Sequence, residues 1–249
     1  MKKILTFVLC IALLASMLSL VSCSDENTAD TLAGKTPEEL YEASQVQLRE
    51  ASSYTVVANQ DIIMSVGDQS MTMKQLVESK INGDNSYVKT QNDFDSSLNM
   101  EAWYVDGTVY ANAFGQKLKA NITKAEYMEQ YMNADPSEST LLDIPESWFE
   151  NIKFEKDGEG WVLNFVVSGE KYTETFANVG MPGAVISGEV SHKVFFDADG
   201  NLVKVVSSFD MTVSGVSAHC DSISTVTIGE VAISAPADAS TYQEVSLGN

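Results

Sequence analysis

Residues 186–213 read ISGEVSHKVFFDADGNLVKVVSSFDMTV and decide the fold of this chain. Apolar and polar residues alternate on both sides of residues 197–200, and a period of two is typical of strands that are buried on one face. Residues 197–200 (DADG) have the composition of a β-turn, with glycine in last place. The stretch therefore predicts a β-hairpin whose inner face packs on a hydrophobic core.

The same period of two recurs along most of the chain, and short turns separate the segments that carry it. Strands that follow one another through short turns, with no helical crossover, form an antiparallel meander. The turn at Asp106 and Gly107 is the strongest short-range hairpin signal in the chain. The segments predicted as strands are 54–66, 71–81, 86–92, 98–105, 108–113, 152–155, 161–167, 216–228 and 230–234.

Helices are predicted at four places, and we expect them to pack on the sheet as covering elements. The first helix begins after Thr36, because Thr36 and Glu39 form a capping box and Pro37 suits the first helical position. A second capping box, at residues 123–126, begins a helical insert. Two further helical segments are predicted at 144–149, which carries Trp148 and Phe149, and at 170–179.

The N-terminus carries a targeting signal. Lys2 and Lys3 precede an apolar run over residues 4–20, and residues 20–23 read LVSC, which resembles a bacterial lipobox. A short apolar run before a small-residue cleavage site is typical of a signal peptide, and an uncleaved anchor helix is the alternative. The resemblance implies a lipoprotein signal peptide over residues 1–22 and attachment of lipid to the thiol of Cys23. It also implies residence outside the cytoplasm.

The rest of the chain divides into a tether and one domain. Residues 23–35 hold almost no large apolar side chain, so they predict a flexible tether between the lipid and the folded part. Residues 36–243 are numerous enough to bury a single core. No disulfide is expected to support that core, because Cys10 lies in the signal, Cys23 is the lipid site and Cys220 is the third cysteine of three.

The composition excludes one class of partner. The chain has 15 Lys and Arg against 35 Asp and Glu, which gives a formal net charge of −20. Binding to nucleic acid needs clustered positive charge that neutralises phosphates, so no nucleic-acid partner is expected. Anionic lipid head groups would repel this surface, and the predicted contact with the membrane is the lipid on Cys23 alone.

Methionine-rich strand faces suggest where a ligand would bind. Methionine is flexible and polarisable, so a sheet face rich in it adapts to an irregular apolar ligand. The alternative is that these side chains fill an ordinary core beneath the helices. The candidate ligand-binding residues are Met64, Met71, Met73, Phe209 and Met211 on the strands, with Trp148 and Phe149 on the covering segment.

No catalytic or metal-binding pattern is present in the sequence. Residues 197–201 superficially suggest a calcium loop, but the EF-hand spacing of glycine and glutamate is absent. His192, His219 and Cys220 lack the paired spacing of zinc ligands, and His219 with Asp221 lacks the nucleophile elbow of a hydrolase. We therefore expect a non-enzymatic protein without catalytic residues, metal or cofactor.

The order of elements carries a family resemblance. A lipidated cysteine, a tether, a capped helix and an antiparallel meander are followed by a closing segment at 235–242, APADASTY. This layout resembles the LolA/LolB-like and LppX/LprG-like lipoprotein fold, in particular its Gram-positive members. The resemblance implies an α+β fold, in which helices cover the concave face of a large curved antiparallel sheet, a half-barrel.

The resemblance also implies a function. It suggests a membrane-anchored extracytoplasmic lipoprotein, of a Gram-positive bacterium, that binds a lipid or acyl chain between sheet and helices as a carrier or chaperone. The alternative is a non-enzymatic scaffold or protein-interaction module of the cell envelope, with a filled core.

Overall fold

In a computed structural model, the described residues are 35–66, 68–124, 126, 148–178 and 183–245. The predicted signal peptide, Cys23, nearly all of the tether and most of the helical insert lie outside them. The described part contains two α-helices, α1 (Pro37–Glu50) and α2 (Gly169–Asn178). Twelve strands of the described part join in one sheet. The strands are β1 (Ser53–Val66), β2 (Gln69–Asn82), β3 (Asn85–Asn92), β4 (Met100–Val105), β5 (Thr108–Ala113), β6 (Gln116–Asn121), β7 (Phe149–Asp157), β8 (Gly160–Ser168), β9 (Ala184–Phe196), β10 (Leu202–Val213), β11 (Val216–Ile228) and β12 (Gln243–Glu244).

The sheet is an open antiparallel meander with two long-range pairings. Its spatial order is β12-β6-β5-β4-β3-β2-β1-β11-β10-β9-β8-β7, so neighbours in sequence are neighbours in space almost throughout. β11 returns to pair with β1, which joins the two halves of the chain in the middle of the sheet. The last strand, β12, pairs with β6 in parallel. The predicted α+β class and the large, open antiparallel half-barrel sheet with helices on one face are confirmed.

The hairpin of residues 186–213 forms as the alternation predicts. β9 and β10 bury alternate residues, and the turn between them is held by Asp197, whose Oδ1 accepts hydrogen bonds from the backbone N–H groups of Asp199 and Asn201. The distances are 3.0 and 2.8 Å. The turn also holds α1 in place, because Gln47 Nε2 donates to Asn201 Oδ1 at 2.9 Å.

Helix α1 begins at the predicted capping box. The Thr36 hydroxyl accepts from the Glu39 backbone N–H, and Glu39 Oε2 accepts from the Thr36 backbone N–H at 2.8 Å. The side of α1 that faces the sheet buries a row of side chains spaced three and four residues apart, which is the spacing of one helical face. These side chains are Leu40, Tyr41, Ser44, Gln45 and Leu48.

The main core lies between α1, α2 and one half of the sheet. Its buried side chains come from α1, α2, β1, β2 and β8 to β11. A smaller cluster on the other half contains Tyr104, Val109, Ala120 and Ile122, with Val245 packed against it. The main core is where all the candidate ligand-binding residues of the sequence fall.

The strands differ from the prediction in three places. β6 and β12 were not expected, and residues 230–234 were expected to be a strand but are not one. Side chains hydrogen-bond to the backbone of Val231 in that segment. The Val231 N–H donates to Ser53 Oγ at 2.9 Å, and Asn82 Nδ2 donates to the Val231 carbonyl at 2.6 Å. The chain then continues to β12, which extends the sheet beside β6.

Candidate functional site

All seven candidate ligand-binding residues belong to the main core. Met64, Met73, Phe209 and Met211 are buried members of the cluster, and Met73 and Met211 are only 0% and 1% exposed. The remaining three, Met71, Trp148 and Phe149, are partly buried and pack against it. The structure therefore gathers them on one face, the face that α1 covers.

The methionines lie in two adjacent rows that run across the strands. In the first row Met71 faces Met64, Met64 faces Ala218, and Ala218 faces Met211. In the second row, two residues along each strand, the order is Met73, Ile62, Cys220 and Phe209. We call these two rows together the methionine rows. Cys220 is fully buried among apolar neighbours, and burial raises the pKa of its thiol to about 12.

The predicted helical turn at 144–149 is wrong at its last residue. Phe149 is the first residue of β7, where pairing with β8 satisfies its backbone and an aromatic side chain suits the pleated surface. The Phe149 ring centroid lies 5.9 Å from that of Tyr41 and 4.0 Å from that of Phe165. Trp148 packs edge-on against Tyr172 of α2 at 6.4 Å. Both aromatics still anchor the covering helices to the sheet, although at the edge of the core.

A row of buried polar side chains runs beside the methionine rows, and the sequence analysis did not identify it. We call it the polar row. Each member faces the next across a strand pair, and each side chain is more than nine-tenths buried. In order from β3 to β9 the members are Asn92, Gln75, Gln60, Ser222, Ser207 and His192. Six strands at about 4.8 Å spacing give this row a length of roughly 24 Å.

The β9–β10 end of the polar row is fully hydrogen-bonded. His192 Nδ1 lies 2.9 Å from Ser207 Oγ, and His192 Nε2 lies 2.8 Å from the hydroxyl of Tyr172, which α2 places over the sheet. The His192 ring also stacks on Phe165 at 4.9 Å. Burial lowers the pKa of His192 from 6.5 to about 3, so the ring is neutral at physiological pH. We call this pair, His192 and Ser207, the histidine end.

The β1–β3 end of the polar row differs. Among the described residues, neither amide atom of Gln60 or of Gln75 has a hydrogen-bond partner, and Nδ2 of Asn92 has none either. Asn92 uses its Oδ1 to accept from the Asp95 backbone N–H at 2.9 Å. On α1, the Oε1 atom of buried Gln45 is also without a partner in the described part. We call Gln60, Gln75 and Asn92 the amide end.

The second histidine lies on the opposite face of the sheet. His219 Nδ1 is 2.9 Å from Asp210 Oδ1, while Nε2 is 3.4 Å from Asp221 and 3.5 Å from the Ser208 hydroxyl. The hydrogen bond to Asp210 is the main reason why the pKa of His219 is raised. The two carboxylates stabilise the charged form of the ring.

The possible zinc ligands do not converge. His219 and Cys220 are adjacent in β11, so their side chains lie on opposite faces of the sheet. His192 and Cys220 both face inward, but His192 is occupied by Ser207 and Tyr172. Within the described residues, no three side chains of His, Cys, Asp or Glu are grouped to hold a metal ion.

The sequence places the chain in a family. Residues 36–183 match the profile of a family of unknown function, DUF6612. The chain is a member of this family. The matched residues extend from the N-cap of α1 to the turn before β9, so they include the amide end of the polar row and not its histidine end. No curated protein matches the sequence of this family member.

Solved structures with a similar layout include several lipoproteins. LprF from Mycobacterium bovis is 11% identical with a TM-score of 0.40, and the alignment covers 79% of this chain and 94% of that one. LppX from Mycobacterium tuberculosis is 9% identical with a TM-score of 0.39, covering 74% and 91%. A putative outer membrane lipoprotein-sorting protein domain from Vibrio parahaemolyticus is 14% identical with a TM-score of 0.27, covering 74% and 89%. The lipoprotein types that the sequence layout resembles are thus among these structures, and none of them assigns a ligand to this chain.

The membrane attachment of this family member remains a prediction from the sequence, since Cys23 and the signal lie outside the described residues. No helix within the described part of the chain has the length and apolar character needed to cross a membrane.

Proposed function

We propose that this protein is an extracytoplasmic lipoprotein, anchored through lipid on Cys23, that binds a hydrophobic ligand between its sheet and its covering helices. The observation that carries the proposal is the pair of methionine rows on the core face of the sheet. Flexible methionines from β1, β2 and β10 lie side by side there, and Met71 at the end of the first row is partly exposed. Such a surface adapts its shape to an acyl chain, and the row leads from the protein surface into the core.

The anchor supports the same role. A lipid on Cys23 keeps the domain close to a bilayer, because each buried CH₂ group of an acyl chain contributes about 0.8 kcal/mol of membrane affinity. Residues 23–35 give the domain a reach of roughly 20 Å from that anchor. A carrier or chaperone for lipids or acylated proteins needs this proximity. Replacing Cys23 by Ala is expected to abolish incorporation of a labelled fatty acid, and a variant that is still labelled would contradict the anchor.

Native mass spectrometry tests the binding role directly. The chain beginning at Asp25, purified from bacteria without detergent, is expected to contain a population heavier by the mass of a lipid, and organic extraction should remove it. A single bare mass that stays unchanged after incubation with envelope lipids would instead favour the filled core and a protein partner.

Substitution of Met71 tests whether the methionine rows bind the lipid. Met73 and Met211 are so deeply buried that Asp at either position would prevent folding. Met71 is only partly buried, so Met71→Asp should fold while it places a charge at the start of the first methionine row. Thr72→Asp is the matched control, since Thr72 is exposed on the other face of the same strand. Loss of bound lipid in the first variant alone supports the proposal, and equal lipid content in both contradicts it.

A further inference from the structure

The amide end of the polar row is unusual because its amide groups are buried while most of their atoms have no hydrogen-bond partner among the described residues. Gln60 is 1% exposed, Gln75 is 2% exposed and Asn92 is 8% exposed. Gln60 and Gln75 face each other directly across β1 and β2, yet neither carboxamide donates to or accepts from the other. Among the described residues, five side-chain atoms at this end have no hydrogen-bond partner.

Such an arrangement is costly in a closed core. Leaving a buried donor or acceptor unpaired costs about 1–3 kcal/mol per group, and native proteins leave few such groups. The histidine end shows that the same row does satisfy its polar groups where Tyr172 and Ser207 are available. The amide end therefore indicates hydrogen-bond partners that come from a bound molecule.

The charge of the site restricts that molecule. The buried polar side chains of the described residues are neutral: they are serines, a threonine, glutamines, an asparagine and His192. A carboxylate or phosphate placed among them would be buried without a cation, and burial of an unpaired charge is strongly unfavourable. A carboxamide offers both donors and an acceptor, which match an ester, an amide or a hydroxyl group.

The flanks of the amide end are apolar. On one side lie the methionine rows, where Ile62 and Met73 adjoin Gln60 and Gln75. On the other side Ala58 faces Val77, and both are buried. A ligand bound here has its polar group between two apolar surfaces, so it is an amphiphile whose chains lie along the strand faces.

α1 packs over the other end of the polar row, near His192. Tyr41 packs on Phe165 at 5.9 Å, and Phe165 faces His192 at the end of the polar row. Gln45 lies one helical turn after Tyr41, on the same buried side of α1. Its unpartnered Oε1 adds an acceptor on the helix side of the core.

We infer that Gln60, Gln75 and Asn92 form a binding site for the uncharged hydrogen-bonding group of an amphiphilic lipid, whose apolar chains occupy the methionine rows. This inference rests on the proposed function and adds to it the class of ligand: a neutral lipid with ester, amide or hydroxyl groups, distinct from a fatty acid or a phospholipid anion.

The test uses the full chain in membranes isolated from bacteria that express it. The membranes are incubated with photoactivatable, alkyne-tagged probes of equal chain length: a monoacylglycerol, a fatty acid and an alkane. After illumination, labelling of the protein is quantified and the labelled peptides are mapped. We expect the monoacylglycerol to label wild type most strongly, on peptides of β1 and β2.

The variant Gln60→Leu with Gln75→Leu separates the possibilities. Loss of about two neutral hydrogen bonds should reduce labelling by the monoacylglycerol about tenfold, while labelling by the alkane stays near that of wild type. Gln91→Leu is the matched control, since Gln91 alternates with the inward-facing Thr90 and Asn92 of β3. Gln75→Leu alone provides a second variant with a smaller expected loss, and a thermal unfolding curve establishes that each variant is folded.

Each contrary outcome has a distinct meaning. Equal monoacylglycerol labelling of folded wild type and double variant would overturn the polar subsite and assign the amides to bound water. Stronger labelling of wild type by the fatty acid than by the monoacylglycerol would overturn the inference that the ligand is uncharged. Absence of labelling of wild type by all three probes would overturn the proposed function itself.

Discussion

The two ends of the polar row are equally buried and differ in how they are satisfied. At the histidine end, His192 bonds through both ring nitrogens to hydroxyl groups of Ser207 and Tyr172. At the amide end, Gln60 and Gln75 are as deeply buried and have no partner among the described residues. The same row of side chains thus has a complete hydrogen-bond network at one end and unpaired amide groups at the other.

The covering helices explain the difference. α2 lies directly against β9 and places Tyr172 over His192, so the histidine end is completed by the fold. At β1 to β3, no described side chain completes the hydrogen bonds of Gln60 and Gln75. Buried polarity therefore has two uses here: it fixes the position of a helix at one end and remains available to a ligand at the other.

The largest effect expected at the histidine end is a loss of stability in acid. The folded pKa of His192 is about 3 because of burial, whereas the unfolded value is 6.5. The unfolded chain therefore binds a proton below pH 6.5 that the folded chain does not bind until about pH 3. The stability from the neutral ring is complete above pH 6.5 and decreases by about 1.4 kcal/mol per pH unit as the pH falls toward 3.

This pH dependence is measured as the unfolding free energy of wild type and His192→Leu from pH 7 to pH 5. In this window the carboxylates contribute equally to both proteins, and Tyr172, the other titratable group that faces His192, stays protonated because burial raises its pKa. The difference between the two proteins should shrink as the pH falls. A difference that is constant with pH would contradict a depressed pKa.

The second effect is the loss of the network itself. At pH 7, His192→Leu removes the hydrogen bonds to Ser207 and Tyr172 and leaves the buried Ser207 hydroxyl without its partner. We expect a loss of about 2–4 kcal/mol in the unfolding free energy from denaturant titration. His192→Gln keeps a donor and an acceptor and should lose less. If the two variants are equally stable, the network does not stabilise the fold.

The third effect has the opposite sign, at the amide end. Without ligand, Gln60→Leu with Gln75→Leu should stabilise the protein by about 1–3 kcal/mol, because unpaired carboxamides are replaced by apolar side chains of similar size. Gln91→Leu, on the other face, should change stability by less than about 0.5 kcal/mol. Destabilisation of the double variant by more than the control would show that the glutamines are satisfied within the free protein.

Local patterns were sufficient to predict most of the fold. The alternation in residues 186–213 and the capping box at Thr36 each identify an element without knowledge of the rest of the chain, and both formed as predicted. The errors arose where partners distant in sequence decide. β6 (QKLKAN) has little apolar character and is a strand because β5 pairs with it on one side and β12 on the other. Residues 230–234 alternate like a strand, but the side chains of Ser53 and Asn82 hydrogen-bond to the backbone of Val231.

The site was predictable in part. The spacing placed the methionines on inward strand faces, and Met64, Met71, Met73 and Met211 belong to or pack on the main core. Their role in binding stays a prediction. The sequence also contained a signal for the polar row, because polar residues interrupt the apolar faces of two strands. Gln60 lies between Ala58 and Ile62 on one face of β1, and Ser222 follows Ala218 and Cys220 on one face of β11. That these polar residues form one row depends on the register of six strands, which the sequence alone does not specify.

The smallest expected effect concerns His219, which lies on the face of the sheet opposite His192. His219 is partly exposed, and its hydrogen bond to Asp210 raises its pKa above the unfolded value of 6.5. Its contribution to stability is therefore complete below pH 6.5 and is lost as the pH rises through the folded pKa, opposite in sign to that of His192. Because exposed ion pairs contribute about 0–1 kcal/mol, His219→Asn should lower the unfolding free energy by no more than this at pH 6 and by less at pH 9. Asp210→Asn should have the same effect at pH 6, and the double variant should add little to either, since both changes remove one interaction. If the losses of unfolding free energy in the two single variants add up in the double variant, Asp210 and His219 act separately. If His219→Asn loses as much at pH 9 as at pH 6, the charge of the ring is not the cause of the loss.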